Sequence, residues 1–300
     1  MAATARALFA VSLLVAGAVV LVVGPAAGGL PVWKTLVLGT VEGVTEFLPV
    51  SSTGHLLVAA RAMALGSAAE GTALGTYVVA IQVGAIAAVL GLYRQRIRAL
   101  AGFVSGADEG VEGLASALVI AFVPVAVVGA AAGSTVKERL FGPWSIVAAW
   151  ALGGVLLLAW RPTSKQATTP LLAISNKQAG LIGLAQVIAL WPGTSRSLVT
   201  LLAALGVGLT IAAAVEFTFL LGALTLTTAT VWDLARNGTE LVSVYGWVSP
   251  GLGALTAFVT AAASVRWMTV HLQHRTLRVF GIYRLGVAGF VAVLLVMGVL

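Results

Sequence analysis

Glu42 and Glu46 stand one helical turn apart in the string Glu42-Gly-Val-Thr-Glu46-Phe-Leu-Pro-Val-Ser51-Ser52-Thr53-Gly54-His55. A second string, Pro192-Gly-Thr-Ser195-Arg196-Ser197-Leu-Val-Thr200, lies about 140 residues further on. Both interrupt long apolar stretches, where each charged group costs about 3 kcal/mol on insertion scales. Two close carboxylates can hold a divalent cation, Mg²⁺ or Ca²⁺, through oxygen. Alternatively one of them stays protonated as a general acid. Ser52 with His55 three residues later is the spacing of an activated nucleophile. Ser51, Ser52 and Thr53 follow the Pro49 break, where hydroxyls and free N–H groups at a helix start bind anions. Arg196 offers a planar fork suited to phosphate oxygens. Ser195, Ser197 and Thr200 add hydroxyls beside it. Together these groups are equipped for phosphoryl transfer. Two plainer roles stand beside that one: N-capping of a half-helix over 52–65 by Ser51 or Ser52, and an ion pair of Glu42 or Glu46 with Arg196 that joins the halves.

These strings must be held at depth by a particular kind of scaffold. The chain is 60% hydrophobic and 9% charged, against about a quarter charged in soluble domains. Its mean hydropathy is +1.06. Apolar runs near 20 residues indicate an all-α polytopic membrane protein rather than a barrel. There is no cysteine, so disulfides and thiolate chemistry are excluded. The net charge of +7 reads as basic loops on one membrane face. No basic, aromatic-interleaved soluble segment exists, so nucleic acid is not an expected partner.

Spans are expected at 7–24, 72–93, 114–133, 143–160, 211–233, 247–270 and 279–300, about seven transmembrane helices. The first reads as a retained N-terminal anchor (residues 1–30) rather than a cleaved signal, on its length. Residues 31–300 form one domain. Arg94-Gln-Arg96-Ile-Arg98, Arg161 through Lys177, and Arg266 through Arg278 then fall on one face with Arg6. The positive-inside rule makes that face cytoplasmic, with the N-terminus inside and the C-terminus outside. The alternation works only if 31–65 and 178–209 each enter and return to the same face. Pro49 and Pro192-Gly193 break helices there, and a re-entrant hairpin lining a cavity tolerates such a break. The order hairpin, span, span, span thus occurs twice, over 31–160 and 178–300, in inverted topology. Gly39-x-x-Glu42 with Ser51 matches Gly183-x-x-Gln186 with Ser195 at a constant offset of 144. Inverted repeats place their site at the midplane, where the broken helices meet.

Gln82 and Glu216 are intramembrane polar residues, expected either to support the site or to bond helix to helix. Asp108, Glu109, Glu112, Glu138 and Glu240 read as loop charges, and Asp233 as a span end. Trp33, Trp144, Trp160 and Trp247 suit an interfacial belt.

At the two strings the sequence resembles the bacterial undecaprenyl-pyrophosphate phosphatase family of the bacitracin-resistance type. The family's E-G-x-T-E-F-L-P-V-S-S-T-G-H occurs at 42–55, and its P-G-x-S-R-S-G-x-T at 192–200, with Leu198 in place of the usual Gly. The likeness continues at Ile81-Gln82-Val-Gly84, Glu216-Phe-Thr-Phe-Leu-Leu221 and Ile282-Tyr283-Arg284, and covers about 31–300. It implies hydrolysis of a C55 isoprenoid diphosphate in the bacterial plasma membrane, at a site open to the outer face. It implies roles for Glu42, Glu46, Ser52, His55 and Arg196. The expected partners are that lipid, the bilayer and a second copy of the chain in a homodimer. Leu198 narrows the room for a close backbone approach. A polyprenyl-phosphate flippase is the competing function, since it would use the same inverted repeat and midplane site. The acid-phosphatase type of membrane phosphatase is excluded, because no His follows Arg196 before His271.

Overall fold

The computed structural model describes residues 29–65, 71–104, 106, 110–160, 168–274 and 276–300. The 7–24 span lies outside them. Among the described residues eleven α-helices follow one another: α1 Val32–Thr45, α2 Ser52–Ala62, α3 Gly71–Leu92, α4 Arg94–Val104, α5 Glu112–Leu140, α6 Pro143–Ala159, α7 Asn176–Gln186, α8 Arg196–Gly206, α9 Ile211–Tyr245, α10 Val248–His274 and α11 Arg278–Val296. Five of these (α3, α5, α9, α10 and α11) are long and apolar enough to cross a bilayer. The protein is therefore a polytopic helical membrane protein. The expected span at 143–160 is the 17-residue α6, about 26 Å long and short of the ~30 Å hydrocarbon core. The expected span at 211–233 is longer than read. α9 continues to Tyr245 and carries Asp233, Arg236 and Glu240 on helix rather than at a span end or in a loop. The Asn237 side chain donates to Asp233 at 3.0 Å, and Arg236 lies 3.9 Å over the Trp232 ring. Those local contacts keep a polar stretch helical.

Two helices are broken in mid-course. The first runs α1, residues 46–51, α2; the second runs α7, residues 187–195, α8. The two breaks end alike. Ser51 has φ 74 and ψ 100, and Ser195 has φ 75 and ψ 112. Each serine accepts at Oγ from the amide three residues on, Gly54 or Leu198. The helices that follow are both 11 residues long and end in matching geometry at Met63 and Val207. The Lys34 ammonium donates to Met63 O at 2.8 Å, and the Gln178 amide donates to Val207 O at 2.8 Å. Every one of these pairs is 144 residues apart. A side chain near the start of the first leg thus ties down the end of the second leg in both units.

The helices pack in pairs: α1 on α10, α7 on α5, α3 on α9 and α10, and α6 on α11. Small residues let the backbones meet. A Cβ on Gly39 of α1 would lie 2.5 Å from Gly253 O, and one on Gly183 of α7 2.6 Å from Ala121 O. A Cβ on Gly84 would strike the Ala254 carbonyl of α10. Close approach through glycine is a common way for membrane helices to associate. Gly84→Ala is accordingly expected to destabilise the purified protein by about 2 kcal/mol or more, as overpacking against backbone does. Gly91→Ala, on the same helix with open space around it, is expected to leave the thermal midpoint unchanged in the same melt.

Candidate active site

Glu46 ends α1 and points its carboxylate across to both following helix starts. Oε1 accepts from Arg196 Nη2 at 3.1 Å. Oε2 accepts from the Ser52 hydroxyl. Ser52 and Arg196 are the first residues of α2 and α8, again 144 apart. One carboxylate therefore joins equivalent places in the two broken helices. The guanidinium also lies 5.6 Å from the Phe47 ring centroid. Gly222 of α9 leaves the space it occupies, since a Cβ there would strike Arg196 Nη1. Nη1 has no hydrogen-bond partner, so one donor edge is unspent.

Glu42 lies one turn before Glu46. It is fully buried, and neither carboxylate oxygen has a hydrogen-bond partner. The charges acting on it are those of Glu46 and Arg196. Among the described residues no three His, Asp or Glu side chains gather into a metal site. The donor set for a hard cation is the Glu42–Glu46 pair. Its chemistry fits one, with Glu42 oxygens free of other bonds.

A cavity of about 180 Å³ opens at this junction. Glu46, Ser51, Ser52 and Thr53 line it from the first string, Ser195 and Arg196 from the second, and Gln82 from α3. Val125, Leu190 and Leu226 form an apolar part of its wall. The expected convergence of the two strings is thus present. The other expected site residues lie elsewhere. Ser197 is fully buried and donates to Leu48 O at 2.7 Å. Thr200 is fully buried and donates to Arg196 O at 2.8 Å within its own helix. His55 is half-buried and bonded to Ser51 O and the Tyr283 hydroxyl. Glu216 pairs with Arg96 at 2.8 Å, tying the start of α9 to α4. Leu198 points into the main apolar core, fully buried, so its side chain takes no room from the cavity.

Several residues at the site carry no functional expectation from sequence. Gln186 and Thr225 line the cavity, with a 3.5 Å hydrogen bond between them. Gln186 occupies Glu42's place in the second broken helix, as the offset of 144 indicates, although the sequence attaches no role to it. Arg284 is fully buried and has no acidic partner. It donates to Ala149 O (2.8 Å), Gly193 O (2.9 Å), Pro49 O (3.3 Å) and Trp150 O (3.3 Å). It therefore binds both breaks to α6. Trp150 donates from Nε1 to Val50 O at 2.9 Å. An arginine within an apolar span, and a tryptophan far from any span end, were the available signals.

The sequence profile of the family described as "Bacitracin resistance protein BacA" matches residues 35–290. That range holds most of the chain and every residue of the cavity. The chain belongs to this family. Curated relatives agree over nearly their whole length. "Undecaprenyl-diphosphatase 1" of Acinetobacter baylyi is 38% identical over 255 residues, 84% of this chain and 91% of that protein. "Undecaprenyl-diphosphatase" of Acinetobacter baumannii is 41% identical over 256 residues, with the same shares covered. "Undecaprenyl-diphosphatase" of Rhodopseudomonas palustris is 37% identical over 271 residues, 87% of this chain and 97% of that protein. Within this family member, Arg284 should be the stabilising clasp of the site. Arg284→Met leaves the Pro49 and Gly193 carbonyls of the two breaks without a donor and is expected to cost about 3 kcal/mol or more in a thermal melt, at 1–3 kcal/mol for each buried group left unsatisfied.

Proposed function

We propose that the protein hydrolyses undecaprenyl diphosphate to undecaprenyl phosphate and inorganic phosphate, returning the lipid carrier to cell-wall synthesis. The names of its relatives support this substrate. The observation that carries the reading is Glu46, held between the Ser52 hydroxyl and the Arg196 guanidinium at the mouth of a cavity inside an apolar bundle. The N-termini of α2 and α8 both reach this cavity, and helix N-termini favour phosphate. Two such termini suit two adjacent phosphates. The apolar wall of Val125, Leu190 and Leu226 suits the first isoprenoid units.

In this reading Arg196 uses its free Nη1 edge to bind the terminal phosphate and stabilise charge developing there. Glu46 accepts the Ser52 proton. Ser52 Oγ bonds to the terminal phosphorus as the bond from that phosphorus to the bridging oxygen breaks, releasing the lipid monophosphate. Glu46 passes that proton to the departing phosphate oxygen and then takes one from water, which attacks phosphorus and breaks the Ser52 ester. Ser52 Oγ leaves with the proton from Glu46, and inorganic phosphate is released. Ser51, Thr53 and Ser195 line the phosphate end. Ser197 and Thr200 act behind it, by fixing Leu48 O and the Arg196 backbone. Gln82 supports the wall. Glu216 acts at a distance, by holding α9 to α4. A Mg²⁺ or Ca²⁺ held by Glu42 and Glu46 would neutralise diphosphate charge.

The broken helices read as re-entrant hairpins of an inverted repeat over 31–160 and 178–300. Three things support that: the offset of 144, the matched serine geometry, and helix pairs that map onto one another when the halves are exchanged, α1–α10 onto α7–α5. Tyr93, just before Arg94–Arg98, sets its hydroxyl against Thr269 near the end of α10, so that basic run and the basic end of α10 lie toward one end. The positive-inside rule makes that end cytoplasmic, with the site open to the outer face.

Phosphate release from the C55 diphosphate by purified protein tests the reaction. Arg196→Ala and Ser52→Ala are each expected to lower kcat by about 10²-fold or more. Near-normal turnover in both would overturn it, and transport of the lipid across liposomes without phosphate release would assign a flippase instead. Chelation is expected to abolish turnover and Mg²⁺ or Ca²⁺ to restore it; full activity in chelator removes the cation.

A further inference from the structure

Four consecutive carbonyls of the first break each meet a side-chain donor: Leu48 O from Ser197, Pro49 O from Arg284, Val50 O from Trp150, and Ser51 O from His55. His55 is the last of this series. Its Nδ1 lies 2.7 Å from Ser51 O. A carbonyl oxygen only accepts, so Nδ1 carries the hydrogen. In the neutral ring Nε2 is then the acceptor, and the Tyr283 hydroxyl, 2.8 Å away, donates to it. The ring is gripped on both sides. Trp150 meets it edge-on at 5.0 Å, and Tyr283 stacks on it at 5.7 Å and 10°. The charged group acting on it from the helices packed around it is Arg284 of α11.

Both imidazole nitrogens are thus committed away from the cavity, and His55 is not part of its lining. The Ser52 proton already has an acceptor in Glu46. Ser51, by contrast, needs holding. Its φ of 74 lies in the left-handed region, which a serine keeps only where its surroundings impose it. Ser51 caps α2 and so aims Ser52. The second unit shows the contrast. Val199 stands where His55 would be, and Ser195 O takes only the Val199 amide, at 3.2 Å. The additional donor exists in the unit that carries the serine hydroxyl and is missing from the one that carries Arg196.

We propose that His55 is a positioning residue: it fixes Ser51, and through it the Ser52 nucleophile, while Tyr283 sets its tautomer. Its kinetic consequences rest on the diphosphatase reading. His55→Ala is expected to lower kcat at least about tenfold, with KM nearly unchanged, because a misaligned nucleophile loses rate rather than binding. His55→Asn, whose side-chain amide reaches the place of Nδ1, is expected to recover most of that loss with an unaltered pH–rate profile. An asparagine variant as slow as the alanine one, or a limb of the profile lost with the imidazole, overturns the proposal. A second readout needs no turnover. The chain has three histidines, so ¹⁵N-histidine spectra of wild type and His55→Asn in lipid nanodiscs isolate the His55 signal. It is expected to remain the neutral Nδ1–H tautomer from about pH 6 to 8, and Tyr283→Phe is expected to shift its Nε2 resonance. An Nε2–H tautomer, or a ring that titrates across that range, overturns the proposal. Wild-type protein that releases no phosphate would count against the diphosphatase reading, while the spectra still decide the role of His55.

Discussion

A peptide chain interrupted inside an apolar bundle has no water to satisfy its backbone, so the protein must supply the partners. This requirement organises the site. Each of the four carbonyls of residues 48–51 takes a side-chain donor, from α2, α6, α8 or α11. Arg284 serves both breaks at once, through Pro49 O and Gly193 O. Unpaired charge at depth is costly, yet here the guanidinium is spent on carbonyl dipoles rather than on an acid. The glycine at 153 leaves it room, since a Cβ there would strike the guanidinium. The broken backbone is thus hydrogen-bonded by tertiary contacts beside a polar cavity.

The two broken helices share a backbone plan and differ in chemistry. Their caps, helix lengths and leg-to-leg ties coincide at an offset of 144. The side chains at equivalent places do not: Ser52 corresponds to Arg196, Glu42 to Gln186, and His55 to Val199. Glu46 closes the gap by binding both first residues. Repeated geometry brings two positive helix ends to one cavity, while divergent side chains put a hydroxyl at one helix start and a guanidinium at the other.

Burial and function divide among the motif hydroxyls in a way their spacing does not announce. Ser195 lines the cavity and Ser197, two residues on, is fully buried against Leu48 O. Alternate residues at a helix start point in different directions, but which direction meets the cavity depends on where the partner helix lies. The same holds for Leu198, whose side chain joins the core. Glu216, an acid in an apolar span, is open from sequence to either site support or a bond between helices. It pairs with Arg96, a basic residue of α4 that periodicity alone does not place beside α9.

By itself the sequence determined the class, the breaks and the chemistry. Apolar runs of span length, prolines at depth and an offset of 144 are local properties, and the cost of charge in lipid makes the two polar strings conspicuous wherever the chain goes. Only the tertiary structure decided which of those polar groups meet. Glu46, Ser52 and Arg196 converge because three helix ends from opposite halves are packed together by glycine contacts and by Arg284. His55 turns to Ser51 and Tyr283 for the same reason. Direction across a helix–helix interface depends on atoms more than 100 residues away, and no short motif encodes them.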